Sequence, residues 1–226
     1  GLSEAGRVTI LPLVAVSSFR PLAENVEVAF NQRRAIRSWE TAFDAIYLFG
    51  EPDPDLVSPK THFISTEPYT PISALALLAA RTLAPTCLLN ADIVVPPHLK
   101  QIAQTAWNKG VVAWTSKRAE FDPLTNDLDN AKVKDMGADI FCCMPPVWER
   151  VWKTIPAGYR IGTPTWDSWM LGFLGLTYKR RFIDITPLRP IFHPKHSERR
   201  RGVPTQDLPR DKYITSGLGF PLIYNP

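Results

Sequence analysis

Apolar residues along this chain follow two rhythms, short unbroken runs and stretches where they recur every three or four positions. Residues 8–16 (VTILPLVAV) form a run of the first kind and predict a strand buried on both faces, closed by the polar loop SSFRPL. Helical spacing follows over residues 28–43, with Ile36, Trp39 and Phe43 on one face and Arg33, Arg34 and Arg37 around it. AIYLF at residues 45–49 predicts a second strand, and Phe63 with Ile64 a short third one. Thr70 as cap and Pro71 at the first helical position open the next helix, which carries Ile72, Leu75, Ala76, Ala79 and Leu83 at helical spacing.

The run TCLLNADIVV, residues 86–95, reads as a buried strand with two polar residues inside it. A helix through Leu99, Ile102, Ala103, Ala106 and Trp107 follows, with Gly110 placed to end it, and then a strand at residues 111–115. From 116 to 137 the chain is polar and rich in Asn and Asp, a length that in a compact domain marks a functional or a disordered loop. Beyond it come a strand at 138–143, a helix from Pro146, a helix at 163–174 with an apolar stripe, and a strand at 181–185. Strands alternating with helices imply βαβ units, hence an α/β fold with a mostly parallel central sheet and helices on both faces.

Composition narrows this only slightly. The 226 residues suit one α/β domain, and no apolar stretch approaches the ~20 residues of a membrane helix. The first residues lack the order of a signal peptide. Three cysteines without metal or disulfide spacing point to reduced thiols, so a cytoplasmic location is expected. A net charge of +4 suits phosphorylated ligands or nucleic acid without selecting either. There is no GxGxxG after the first strand, no GxxxxGK[ST] loop and no GxSxG elbow. The Gly-rich loop of a sugar-phosphate nucleotidyltransferase is also missing, with SSFRPL in its place.

The sharpest chemical feature is LLNADIVV. On a strand, Asn90 and Asp92 would share one face, and Asp92 lies near the carboxyl end, where ligands of open α/β sheets gather. A carboxylate there suits Mg2+ or Mn2+ completed by a diphosphate; it also suits a turn cap ahead of Pro96 and Pro97. Asp167 stands in the first turn of its expected helix, where an acid also complements the helix dipole. Asp139 opens a strand, and either a catalytic or a local structural role fits it.

The stretch NAD resembles the DxD region of GT-A glycosyltransferases. SSFRPL, NQRRAIRSW, GADIF and IGTPTWDSW follow in the order seen in small glycosyltransferase-like proteins, from about residue 8 to 196. Asn90 departs from a full DxD by one charge. The resemblance implies a single Rossmann-like GT-A domain over residues 1–226, with a nucleotide-sugar-binding half (8–115), an acceptor-side half (116–193) and a basic tail (194–226). It implies a nucleotide-sugar donor, UDP- or GDP-linked, contacted by Ser17, Ser18, Phe19, Arg20, Arg34, Asn90 and Asp92. Mn2+ or Mg2+ would be held by Asp92 and His193, with Asp167 or Asp139 as catalytic carboxylate. Trp166, Lys195 and Arg199 would face the acceptor. The pattern also resembles phage and kinetoplastid glycosyltransferases acting on hydroxymethylpyrimidines in DNA, an acceptor the basic tail would suit. The departure at Asn90 keeps a further alternative open, a degenerate domain that binds nucleotide or nucleic acid without turnover.

Overall fold

The computed structural model describes residues 10–19, 25–67, 69–134, 137–162, 165–196 and 212–213. Its centre is a seven-stranded sheet. In chain order the strands are β1 (Val14–Ser18), β2 (Ala45–Phe49), β3 (Thr61–Ile64), β4 (Thr86–Leu89), β5 (Ala113–Ser116), β8 (Ile140–Cys143) and β9 (Phe182–Asp184). Across the sheet they lie in the order β3-β2-β1-β4-β8-β5-β9. Only β8 runs against its neighbours, with Leu88 opposite Phe141 and Thr115 opposite Phe141 on its other side. A smaller sheet joins β6 (Ala119–Phe121), β7 (Lys132–Val133) and β10 (Phe192–Pro194), with β6 in the middle.

Alternation along the strands divides the core in two. Val14, Val16, Leu88, Phe141 and Cys143 face α2 (Ile72–Arg81), α4 (Pro145–Thr154) and α5 (Trp166–Tyr178). Leu13, Ala15, Cys87, Leu89, Ile140 and Cys142 face α1 (Val26–Trp39) and α3 (Leu99–Asn108). A period of two with both phases apolar is what a strand covered on both faces requires. The three cysteines are free and buried on these strands, where burial raises their thiols above the ordinary range. Tyr213 packs its ring against Trp169 and Phe173 of α5, tying a C-terminal residue to this core.

The structure departs from the sequence expectations in several places. The strand expected over 8–16 is Val14–Ser18, so Ser17 and Ser18 belong to β1 and not to the loop after it. α1 starts at Val26, because the Asn25 side chain accepts from the backbone N–H groups of Glu27 and Val28. Thr70 caps nothing; its hydroxyl meets that of Thr66, and Pro71 is itself the capping position of α2. The strand expected over 86–95 stops at Leu89, and Ile93 N–H donates to the Asn90 carbonyl across a turn. The polar stretch 116–137 contains β6 and β7 and so is not a bare loop. Among the described residues no helix is long and apolar enough to cross a membrane.

Candidate functional site

Where β4 ends, the chain turns through Asn90, Ala91 and Asp92 at the carboxyl edge of the parallel strands. Two residues on, Val94 and Phe192 exchange both backbone hydrogen bonds, at 2.8 and 2.9 Å. That antiparallel bridge carries β10 beside the turn. It places His193 Nε2 3.2 Å and His196 Nε2 3.6 Å from Asp92 Oδ2. The imidazole centroids are 5.0 Å apart, and one ligand atom from each of the three residues lies within 4.8 Å of the others.

This set fits a divalent cation. Two ligands about 2.1 Å from one ion stand roughly 3 Å apart when adjacent in an octahedron and somewhat further in a tetrahedron, as the Asp92–histidine separations do. Asp92 Oδ1, Asn90 Oδ1 and His193 Nδ1 are buried with no hydrogen-bond partner among the described residues. Buried polar atoms of this kind are costly unless something binds them. Burial opposes ionisation of Asp92, but the two imidazoles outweigh it and hold the carboxyl well below the usual carboxylate range.

Behind the turn sits a second charged group. Asp139 Oδ1 accepts from Asn90 Nδ2 at 2.8 Å and from Arg118 at 3.0 Å, and Arg118 also reaches Glu120 at 3.3 Å. The two partners of the Arg118–Asp139 pair respond differently. Burial pushes the Asp139 carboxyl up; Arg118 and His193 offset this in part, while Asp92 and Asp167 reinforce it. For Arg118 burial acts downward, yet Asp139 and Glu120 carry it above its ordinary value. The difference follows depth, since the Asp139 side chain is the more buried.

An open cleft lies against the turn, bounded by Ser18, by Asn31 and Gln32 of α1, by Ile161 and Gly162, and by His196. Ser18, Asn90 and Asp92 therefore share one cleft. Asp167, half-buried at the start of α5, points Oδ2 to within 3.0 Å of where a side chain on Gly137 would begin. Other expected contacts fall elsewhere. Ser17 donates its hydroxyl to the Leu89 carbonyl at 2.7 Å and stitches β1 to β4. Phe19, 4% exposed, packs edge-on against Phe63 and under Gly50, so its ring is core and offers no open face to a base. Trp166 is likewise 4% exposed and set edge-on against Phe141, which removes it from an acceptor surface.

Arg34 lies over the Phe121 ring, 4.8 Å from its centroid, and donates to Asn126. It does not line the cleft. Lys195 is exposed, and its backbone N–H donates to the Phe121 carbonyl. Arg20 and Arg199 lie outside the described residues, as does most of the basic tail. Three participants were not singled out from the sequence, Arg118, Asn31 and Gln32, because they depend on a sheet register and a helix face. His196 forms an HxxH pair with His193, of which His193 was the expected ligand.

No known family profile matches the sequence, and no characterised protein is detectably similar to it in sequence. Solved structures do share its shape. A mannosyltransferase from Pyrobaculum calidifontis, solved with GDP-Man and Mn2+, superposes on 87% of this chain with a TM-score of 0.51 at 11% identity. The chain spans 60% of that protein's length. A protein assigned as a glucose-1-phosphate thymidylyltransferase from Bacillus anthracis, solved with sucrose, matches 77% of this chain and 87% of its own (TM-score 0.46, 8% identity). One assigned as a nucleotide-diphospho-sugar transferase from Desulfovibrio desulfuricans matches 66% and 70% (TM-score 0.39, 12% identity). The chain shares the Rossmann-like α/β fold of that mannosyltransferase, a mostly parallel sheet with helices on both faces.

Proposed function

We propose that the chain is a glycosyltransferase that takes its sugar from a nucleotide diphosphate donor and holds the diphosphate at Asp92, His193 and His196 through a divalent cation. One observation carries this reading. Three side chains able to ligate a metal, Asp92 and, 101 residues beyond it, His193 with nearby His196, converge at the carboxyl edge of a parallel sheet beside a cleft. The fold, shared with a mannosyltransferase solved with GDP-Man and Mn2+, agrees with it.

The donor set bears on which ion. Mg2+ prefers an all-oxygen shell, whereas two imidazoles beside one carboxylate favour Mn2+ or another transition ion. When bound, such a cation supplies positive charge against the diphosphate as the bond to the sugar C1 breaks. Asp92, His193 and His196 fix its place. Asn90 and Arg118 hold Asp139 from behind, so Asp139 stiffens the turn that carries Asp92 and serves as a positioning group. Asp167 is the better proton acceptor for the incoming hydroxyl, because Asp139 is buried and already occupied on one oxygen.

Release of nucleoside diphosphate from UDP- and GDP-sugars, with and without Mn2+, tests the reading. The acceptors assayed should include saccharides and duplex DNA bearing hydroxymethylpyrimidine. Turnover is expected only with the ion. Asp92→Asn, which keeps the side-chain shape, is expected to lower it by at least roughly 10²-fold while unfolding remains cooperative. Near-normal turnover in that variant would falsify the metal role.

A further inference from the structure

The proposed donor site lacks the feature usually sought for a diphosphate. Among the described residues that line the cleft there is no lysine and no arginine. Arg34 of α1, expected at the donor, does not line the cleft, nor do Arg33 and Arg37. Arg33 is held by Asp53 at 2.7 Å and by Asp55 at 3.2 Å, and Arg34 lies over Phe121.

The face of α1 that does meet the cleft is set by three contacts along the segment after Asp92. Trp39 Nε1 donates to the Ile93 carbonyl at 2.6 Å, and Val95 N–H donates to Ser38 Oγ at 3.0 Å. Ala35 packs with Val94 and Phe192. One turn before Ala35 the same face carries Asn31 and Gln32. Both are only 3% exposed, and both line the cleft together with Asn90 and Asp92. An amide brings two N–H donors into a poorly solvated wall, where hydrogen bonds to an anion are strong.

We infer that Asn31 and Gln32 bind the diphosphate of the donor, donating their amide N–H groups to its oxygens at the end nearest Asp92. This rests on the donor reading above. It assigns the neutral amides of α1 the role first expected of Arg34. Discrimination then follows from shape and hydrogen bonding, with the cation the main source of positive charge in the described part of the cleft.

The test uses the full chain with Mn2+ and measures binding of UDP, GDP and inorganic pyrophosphate by calorimetry. Mn2+ binding alone is followed by electron paramagnetic resonance. The variants Asn31→Leu and Gln32→Met keep the approximate volume and remove the donors. Each is expected to weaken UDP, GDP and pyrophosphate alike by roughly 10- to 100-fold, the worth of a hydrogen bond to a charged group, and to leave Mn2+ affinity unchanged. If either apolar variant loses cooperative unfolding, Asn31→Asp or Gln32→Glu takes its place with the same expectation for the anions. Unchanged anion affinity overturns the inference, and so does a loss confined to UDP and GDP, since the amides would then read base or ribose. A wild-type protein that binds Mn2+ but none of the three anions overturns the donor reading and this inference together. Wild-type binding with unaffected variants overturns this inference alone.

Discussion

At the level of single residues, Asp139 carries the clearest consequence for solution behaviour. Its carboxyl is raised chiefly by burial, against the opposing pull of Arg118. A carboxyl whose folded value lies above its unfolded value contributes stability that is complete below the unfolded value and disappears as pH rises through the folded one. The wild-type chain should therefore lose part of its stability on going from about pH 4 toward neutrality because of this group. Asp139→Asn removes that dependence and keeps the contact to Asn90 within reach of the same atoms. Relative to wild type, the variant is expected to gain on the order of 1 kcal/mol between pH 4.5 and pH 7.5 in urea unfolding. A variant that instead loses ground as pH rises would show that Asp139 stays ionised at low pH and that its bond to Arg118 outweighs burial. The same residue shows how sequence and site diverge. GADIF marked Asp139 as a polar group at a strand start, but the partner that defines it, Arg118, lies in the short link between β5 and β6 and was invisible in any local pattern.

Secondary-structure elements explain which other parts of the site were legible. β2 was readable to the residue because AIYLF is bounded by Asp44 and Gly50, and both limits are local. The reversed direction of β8 was not, since a strand buried on both faces has the same apolar run whichever way it lies. Asp92 was reached through a strand alternation that does not exist there; the turn after Leu89 delivers it by another route. His193 meets it through the Val94–Phe192 bridge, a pairing about a hundred residues apart that no periodicity encodes. Asn31 and Gln32 were hidden beside a run of arginines that dominates the helix in sequence.

Between elements, Gly137 governs how the approach to β8 sits against the start of α5. Its φ is +75°, and an added Cβ would stand 3.0 Å from Asp167 Oδ2. Gly137→Ala must therefore move Asp167 as well as strain the backbone. Transfer is expected to fall by roughly 10- to 100-fold, the scale of a misplacement near 1 Å, with Mn2+ and diphosphate affinity retained. Gly137→Asn adopts a positive φ more readily but carries the same Cβ, so equal losses in both variants would locate the effect in Asp167 and not in backbone strain.

On the scale of the whole molecule, the candidate site joins distant parts of the chain. Asp92 belongs to the turn after β4, whereas His193 and His196 come from β10 and the residues just past it. Among the described residues, one pair of backbone hydrogen bonds at Val94 and Phe192 bridges the two segments. An ion binding all three ligands in the folded chain, and none of them together in the unfolded chain, must add to stability in proportion to its occupancy. At a concentration one hundred times its dissociation constant the gain is about 2.7 kcal/mol. For a chain of 226 residues that corresponds to a rise in Tm of roughly 5–10 °C. Mn2+ is expected to produce this shift in wild type, and Asp92→Asn or His196→Ala to reduce it sharply. Mg2+ at the same concentration should do less, because two of the three ligands are imidazoles. A shift that persists in Asp92→Asn would place the ion elsewhere in the molecule, and an equal response to Mg2+ would show that the histidines do not ligate it.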